Sequence, residues 1–287
     1  MSKSAVELAR RRIVGLAACL VATGLTAFLN TLAAERAPIL RLGVTTTVEN
    51  SGLLAHLLPR FTADTGVRVR AIVRGTGEVL RVARAGDIDV FIAHDPAGER
   101  AFLRAGHGTE RRDLMHNHFI VVGLKSDPAG IAGLGSATAA FRRIARRKAR
   151  FVSRGDDSGT HRAERRLWKA AGIDPSKPAR RWYMEAGAGM GATLNVASGR
   201  GAYTLTDQGT WLAFKNKGAL VPLVTTDKSL INPYSVTLVA PSRIGAKRAS
   251  AARAFFDWMT GTAGQHAIGT YRINRLLPFM PATPPRS

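Results

Sequence analysis

Residues Phe151–Gly172 read FVSRGDDSGTHRAERRLWKAAG. An apolar strand start meets an arginine, two aspartates and a Ser-Gly-Thr step, and then a strongly amphipathic helical pattern. Small and hydroxyl residues before such a pattern mark a helix N-terminus. That end carries orphan backbone N–H groups and the positive pole of the helix dipole, so it is suited to hold an anion.

The same alternation extends outward in both directions. Upstream, Leu40–Val44 reads as a strand, Ser51–Asp64 as a helix stopped near Gly66, and Val67–Val73 as a strand with one arginine-rich face. Thr76–Ala85 follows as a helix, Asp89–His94 as a buried strand and Pro96–Ala105 as a helix. This βαβαβα order predicts a parallel sheet covered by helices on both faces. Next come strand His118–Gly123, helix Ala137–Lys148, strand Phe151–Arg154 and the long helix after it. Downstream lie strand Tyr183–Ala186, helix Met190–Ser198, strand Ala202–Thr206, helix Gln208–Asn216 and strand Leu220–Val224. Ser235–Ala240 reads as a strand returning to the first group, and Lys247–Met259 as the last helix.

Three strand-to-helix junctions share one chemistry. They are Val44-Thr45-Thr46-Thr47 leading to Ser51, Arg74-Gly75-Thr76-Gly77, and Arg154-Gly155-Asp156-Asp157-Ser158-Gly159-Thr160. Each sets hydroxyls and backbone donors at a helix start. In open α/β sheets ligands bind beyond the carboxyl ends of strands, where such loops converge. Any one of these residues also serves as a helix cap with no ligand, worth ~1 kcal/mol.

Composition sets the class. The chain has 287 residues, 45% of them hydrophobic, enough for two packed units. Its formal net charge is +22. Arg10-Arg11-Arg12 followed by the apolar run Ile13–Leu32 and Ala33-Ala34 predicts an export signal at 1–34. Cleavage there removes a net +3 and leaves +19 on the mature chain. It also removes Cys19, the only cysteine, so no disulfide is expected. Leu16-Ala17-Ala18-Cys19 resembles a lipoprotein box, and a lipid anchor through Cys19 is the alternative. In an exported protein this charge steers anions rather than nucleic acid.

Other chemistries find less support. Gly75-Thr76-Gly77 lacks the third glycine of a dinucleotide fingerprint. Ser158, His161 and an aspartate would make a hydrolase triad only without the usual nucleophile elbow. His116-Asn117-His118 has no nearby acidic or cysteine partner and reads as the wet face of a strand rather than a metal site. The arginines of Ala137–Lys148 read as a solvated basic face.

At this point a family resemblance stands out. VTTTVENSGLL, GTGEVLRVARAGDIDVFIAHDPAGE, RRDLMHNHFIVVG, FVSRGDDSGTHRAERRLWKAAGIDP and WYMEAGAGMGATLNVASGRGAYTLTDQGTW resemble the tungstate-binding proteins of bacterial ABC transporters. The likeness spans about residues 40–270. It implies a two-lobed α/β fold, that of periplasmic binding proteins of the second type, with the ligand cleft between lobes. Lobe 1 would be residues 38–117 plus 234–287, and lobe 2 residues 118–233.

The resemblance also implies an oxyanion site. Its expected members are Thr46, Thr47, Thr76, Arg154, Ser158, Thr160, Thr193 and Tyr203. Thr47 stands where the family typically carries a serine. No catalytic residue, metal or cofactor is implied. The implied partners are tungstate or a related tetrahedral oxyanion, such as molybdate, and a membrane permease, with the chain acting as a periplasmic monomer. A dianion without a proton suits a site made only of donors. Phosphate keeps a proton and needs an acceptor, for which Asp156 is a candidate. A phosphate receptor of the same fold, an exported hydrolase and a basic surface-interaction protein stay open as alternatives.

Overall fold

The computed structural model describes residues 39–175 and 181–283. The expected signal, Cys19 and the last residues of the Pro-rich tail lie outside them. Among the described residues no helix is long and apolar enough to cross a membrane.

The first half of the chain builds one end of a mixed sheet. Strands β1 (Ile39–Thr45), β2 (Arg68–Arg74) and β3 (Val90–Ala93) are parallel, with β1 between the other two. Helices α1 (Thr46–Asn50), α2 (Leu53–Thr65), α3 (Thr76–Ala85) and α4 (Pro96–Arg104) connect them. The parallel pattern ends there. β9 (Ile231–Val239) pairs antiparallel with β3, and β4 (Gly108–Leu124) pairs antiparallel with β9. The wholly parallel sheet expected from βαβαβα is therefore corrected to a mixed one.

β4 organises the rest. Its residues up to His118 pair with β9, and Phe119 onward pairs with β7 (Thr204–Asp207) and β8 (Leu220–Val224). The strand is 17 residues long, much longer than the His118–Gly123 segment expected. Glu110, Arg111 and Arg112 disguise its first half. Arg111 reaches the buried Glu99 at 2.6 Å, Arg253 reaches Glu110 at 2.7 Å, and Arg112 lies over the Phe256 ring. Partners distant in sequence make these charges compatible with a strand.

Helices α5 (Ala137–Arg146), α6 (Gly159–Ala170), α7 (Met190–Arg200) and α8 (Gln208–Ala213) pack around β7, β8 and a small parallel pair, β5 (Phe151–Ser153) with β6 (Tyr183–Glu185). The chain then returns through β9 to α9 (Pro241–Ile244), α10 (Ala246–Thr260), α11 (Thr262–Thr270) and the short edge strand β10 (Met280–Pro281). Helix α11 was not anticipated. It docks Ala267 and Ile268 on the core that holds Phe61, Phe255 and Phe256.

Strand alternation sorts the core. Leu40, Leu42, Val44, Val90 and Ile92 face one cluster, while Phe91 and Ala93 face a second with Phe102. Beyond the partner change in β4, Phe119 and Val121 join Phe141, Phe151 and Trp168, and Ile120 and Val122 join Met190 and Trp211. Both parts of the sheet are thus covered on both faces.

Candidate functional site

The three polar junctions meet. The first is a helical turn rather than the loop expected, because α1 begins at Thr46 and Gly52 at φ 75° separates it from α2. Thr45 Oγ1 lies 3.1 Å from Thr47 Oγ1. The second junction opens α3, whose N-cap, Gly75, offers no side-chain cap. Buried Thr76 accepts a hydrogen bond from the Gly159 backbone N–H at 3.1 Å. The third junction contributes Arg154, whose Nη2 donates to Thr46 Oγ1 at 3.4 Å.

Arg154 is the centre of charge. It is only 2% exposed. Nη2 also donates to Asp156 Oδ2 at 2.5 Å, and Asp156 Oδ1 accepts from the Ser158 N–H at 3.2 Å. Both Asp156 oxygens are therefore engaged in orienting the arginine and the loop. Gly155 makes the turn possible. It sits at φ 61°, and a Cβ there would meet the Glu185 side chain at 2.7 Å. Arg154 Nε and Nη1 and Thr160 Oγ1 are buried with no hydrogen-bond partner among the described residues. Leaving buried donors unpaired costs ~1–3 kcal/mol each. Such donors call for an acceptor-rich group with no proton to give, and an oxyanion is one such group.

A buried polar chain supports this group. Thr47 Oγ1 lies 3.4 Å from His94 Nε2, and His94 Nδ1 lies 2.8 Å from Asn232 Oδ1. Asn232 Nδ2 donates to Asn117 Oδ1 at 2.8 Å and to the Tyr234 hydroxyl at 2.9 Å. Asn117 Nδ2 donates to Asp207 Oδ1 at 3.3 Å. Asn117 and Asn232 are register partners in β4 and β9. Burial lowers the His94 pKa to about 4, so the ring is neutral. With Nδ1 donating to Asn232, Nε2 presents its lone pair to Thr47. Burial raises the Asp207 carboxyl against the pull of Arg154.

Five of the eight expected residues converge here: Thr46, Thr47, Thr76, Arg154 and Thr160. The other three have structural bonds of their own. Ser158 Oγ accepts from the His161 N–H at 3.2 Å and caps α6. Thr193 donates back to Gly189 O at 3.1 Å. Tyr203 does not join the group. Its ring packs in the core with Phe151, and its hydroxyl donates to Asp127 Oδ1 at 2.7 Å while accepting from the Ala129 N–H at 2.8 Å.

The hydrolase reading is corrected. His161 Nδ1 accepts from the Asp157 N–H at 3.0 Å, and Ser158 Oγ bonds the His161 backbone instead of its ring. Ser158 and His161 do not form a serine–histidine pair through their side chains.

Sequence reasoning missed His94, Asn117, Asp207 and Asn232. His94 had a usable signal, since it follows the apolar VFIA at the carboxyl end of a strand. Asp207, three residues before Thr210, fits an N-cap pattern, and its Oδ1 accepts the Thr210 N–H at 2.9 Å. The asparagines sit within strands whose extent was underestimated.

Comparison with known proteins shows the family. The family model described as the PBP superfamily domain matches residues 32–263. The tungstate-binding protein TupA of Peptoclostridium acidaminophilum is 40% identical over 232 residues, covering 80% of this chain and 80% of the relative. The solved tungstate-binding protein TupA of Desulfovibrio alaskensis G20 is 41% identical with a TM-score of 0.74, covering 85% of this chain and 99% of that one. A crystal structure described as the tungstate ABC transporter from Geobacter sulfurreducens is 43% identical, also at a TM-score of 0.74, covering 81% and 98%. The chain belongs to the PBP superfamily and, within it, to the family of tungstate-binding proteins.

Proposed function

We propose that this protein is the extracytoplasmic binding component of an ABC importer. It captures tungstate, or molybdate by the same chemistry, and hands it to a membrane permease. The observation that carries this reading is Arg154: a guanidinium 2% exposed, tied by one nitrogen to Asp156 and Thr46, with two nitrogens unpartnered. One fixed positive charge with hydroxyls around it suits a dianion held by donors alone.

The same reading sets lobe 1 at residues 38–117 plus 234–287 and lobe 2 at residues 118–233. Thr46, Thr47 and Thr76 come from the first, Arg154 and Thr160 from the second. Ligand enclosed between them would contact both, so binding and closure are one event. The proposed ligands are Thr46, Thr47, Thr76, Arg154 and Thr160, with Ser158 and Thr193 shaping the helix ends that face the anion. The protein acts in the periplasm as a monomer, after export by its N-terminal segment. It binds and releases without chemistry, in keeping with relatives that are binding proteins.

A phosphate receptor is less well supported, because both Asp156 oxygens already accept protein donors. The test is calorimetric titration of the anion-stripped protein with tungstate, molybdate, sulfate and phosphate, singly and in competition. Tight binding of tungstate with phosphate silent is expected. Tight phosphate binding with tungstate silent would overturn the proposal.

A further inference from the structure

The arginine-rich helix that the cleft does not use lines a cavity of its own. Helix α5 buries Ala137, Ala140, Phe141 and Ile144 and turns its arginines outward. Arg143, Arg146 and Arg147 line a cavity of about 440 Å³ whose opposite wall is the turn Asp127–Gly130. Arg143 Nη1 donates to Gly130 O and ties helix to turn. Arg146 and Arg147 are exposed, and their guanidinium groups make no ion pair or hydrogen bond among the described residues.

Asp127, the one carboxylate in the wall, is already satisfied. Its Oδ1 accepts the Tyr203 hydroxyl at 2.7 Å and its Oδ2 accepts the Ala132 N–H at 2.7 Å. The carbonyl end of α5 favours cations in its last turn. That explains part of the cluster. It does not explain Arg147, which lies past the last helical residue, or the cavity that three guanidiniums share.

We propose that this cavity binds a phosphoryl group, held in forked hydrogen bonds by Arg146 and Arg147 with Arg143 fixing the rim. Guanidinium planes match phosphate oxygens two at a time, and a cluster of them outweighs one internally paired carboxylate. The group could be free phosphate or the headgroup of an anionic phospholipid. The neighbouring Arg142, Lys148 and Arg150 are also exposed and broaden the basic surface around the mouth. This site is separate from the oxyanion cleft, and only its test, which fills that cleft with tungstate, rests on the proposed function.

The test uses the mature protein loaded with one equivalent of tungstate and freed of excess, so that the cleft is filled and no free oxyanion competes for the arginines. One arm titrates inorganic phosphate. The other measures sedimentation with vesicles of phosphatidylcholine containing phosphatidylglycerol, against phosphatidylcholine alone. The double variant Arg146→Gln/Arg147→Gln is compared with Arg68→Gln/Arg70→Gln, which removes two exposed arginines of β2. Binding in either arm that falls about 25-fold in the first variant and much less in the second is expected, at roughly fivefold per arginine near a charged surface. The arm that responds identifies the source of the phosphoryl group. No binding in either arm, or equal losses in both variants, overturns the proposal. Tungstate affinity of the first variant should equal that of wild type, which shows that it is folded.

Discussion

Gly159 lies against the His94 imidazole so closely that a Cβ on it would overlap ring atoms Cε1 and Nε2. The same glycine donates its N–H to Thr76. His94 and Thr76 belong to the β1–β3 part of the sheet, and Gly159 opens α6 on the other side. The contact requires glycine for its size and not for its backbone angle.

In the closure proposed above, Gly159→Ala should hinder the approach of the two sides. The added methyl would force the two sides apart or displace His94, at a cost of ~1–3 kcal/mol. Tungstate affinity should fall roughly 5- to 150-fold, while the melting temperature of the anion-free protein stays near that of wild type. Calorimetry and a thermal melt check both. An unchanged affinity would mean that the contact is not kept in the bound state.

Asp207 is fully buried, with Oδ2 unpartnered among the described residues. Its ionised form opposes the field of Arg154, and an asparagine would keep the Thr210 cap while removing the titratable group. Burial raises the Asp207 pKa, so the gain in tungstate affinity of Asp207→Asn should grow as pH rises and reach about tenfold once the wild-type carboxyl is ionised, the scale of one charge acting through a partly screened interior. Weaker binding would show instead that Asp207 holds the site's geometry.

Two buried groups set opposing pH dependences. Burial pushes the Glu164 carboxyl up to about 7, although the Trp168 Nε1 and the Tyr183 hydroxyl both donate to it at 2.9 Å. Between its ordinary value of 4.5 and about 7 the folded chain holds the proton and the unfolded chain does not. Stability therefore falls as pH rises through that window. His94, lowered from 6.5 to about 4, works the other way, and stability rises with pH between those values. Each slope is at most about 1.4 kcal/mol per pH unit. Glu164→Gln should leave the rise due to His94, and His94→Gln should leave the fall due to Glu164. Melts of the anion-free protein across this range separate them, and identical profiles for both variants would contradict the assignment.

The helices were legible where local signals agreed. Thr76–Ala85 has glycine on both flanks and a single apolar face, and it forms within those limits. Leu220–Val224 is a short apolar run bounded by turn residues. Strand β4 was hidden, because Glu110, Arg111 and Arg112 are matched by Arg253, Glu99 and Phe256, which local sequence does not connect to them. The site was legible as a set of residue types at helix starts. Which hydroxyl stays free was not, since that depends on bonds made in three dimensions: Thr193 turns back on its own helix, Tyr203 on Asp127, and Ser158 on the α6 N-terminus.

The central claim is that Arg154 holds the anion. Titration of tungstate into wild type, Arg154→Lys and Arg154→Ala tests it most directly, with a thermal melt of each variant. Removing a buried, hydrogen-bonded charge partner costs ~2–5 kcal/mol, so Arg154→Ala should lose roughly 30- to 4,000-fold in affinity. Arg154→Lys should fall between, because it keeps the charge and loses the fork. A folded Arg154→Ala variant that binds tungstate as tightly as wild type would contradict the account.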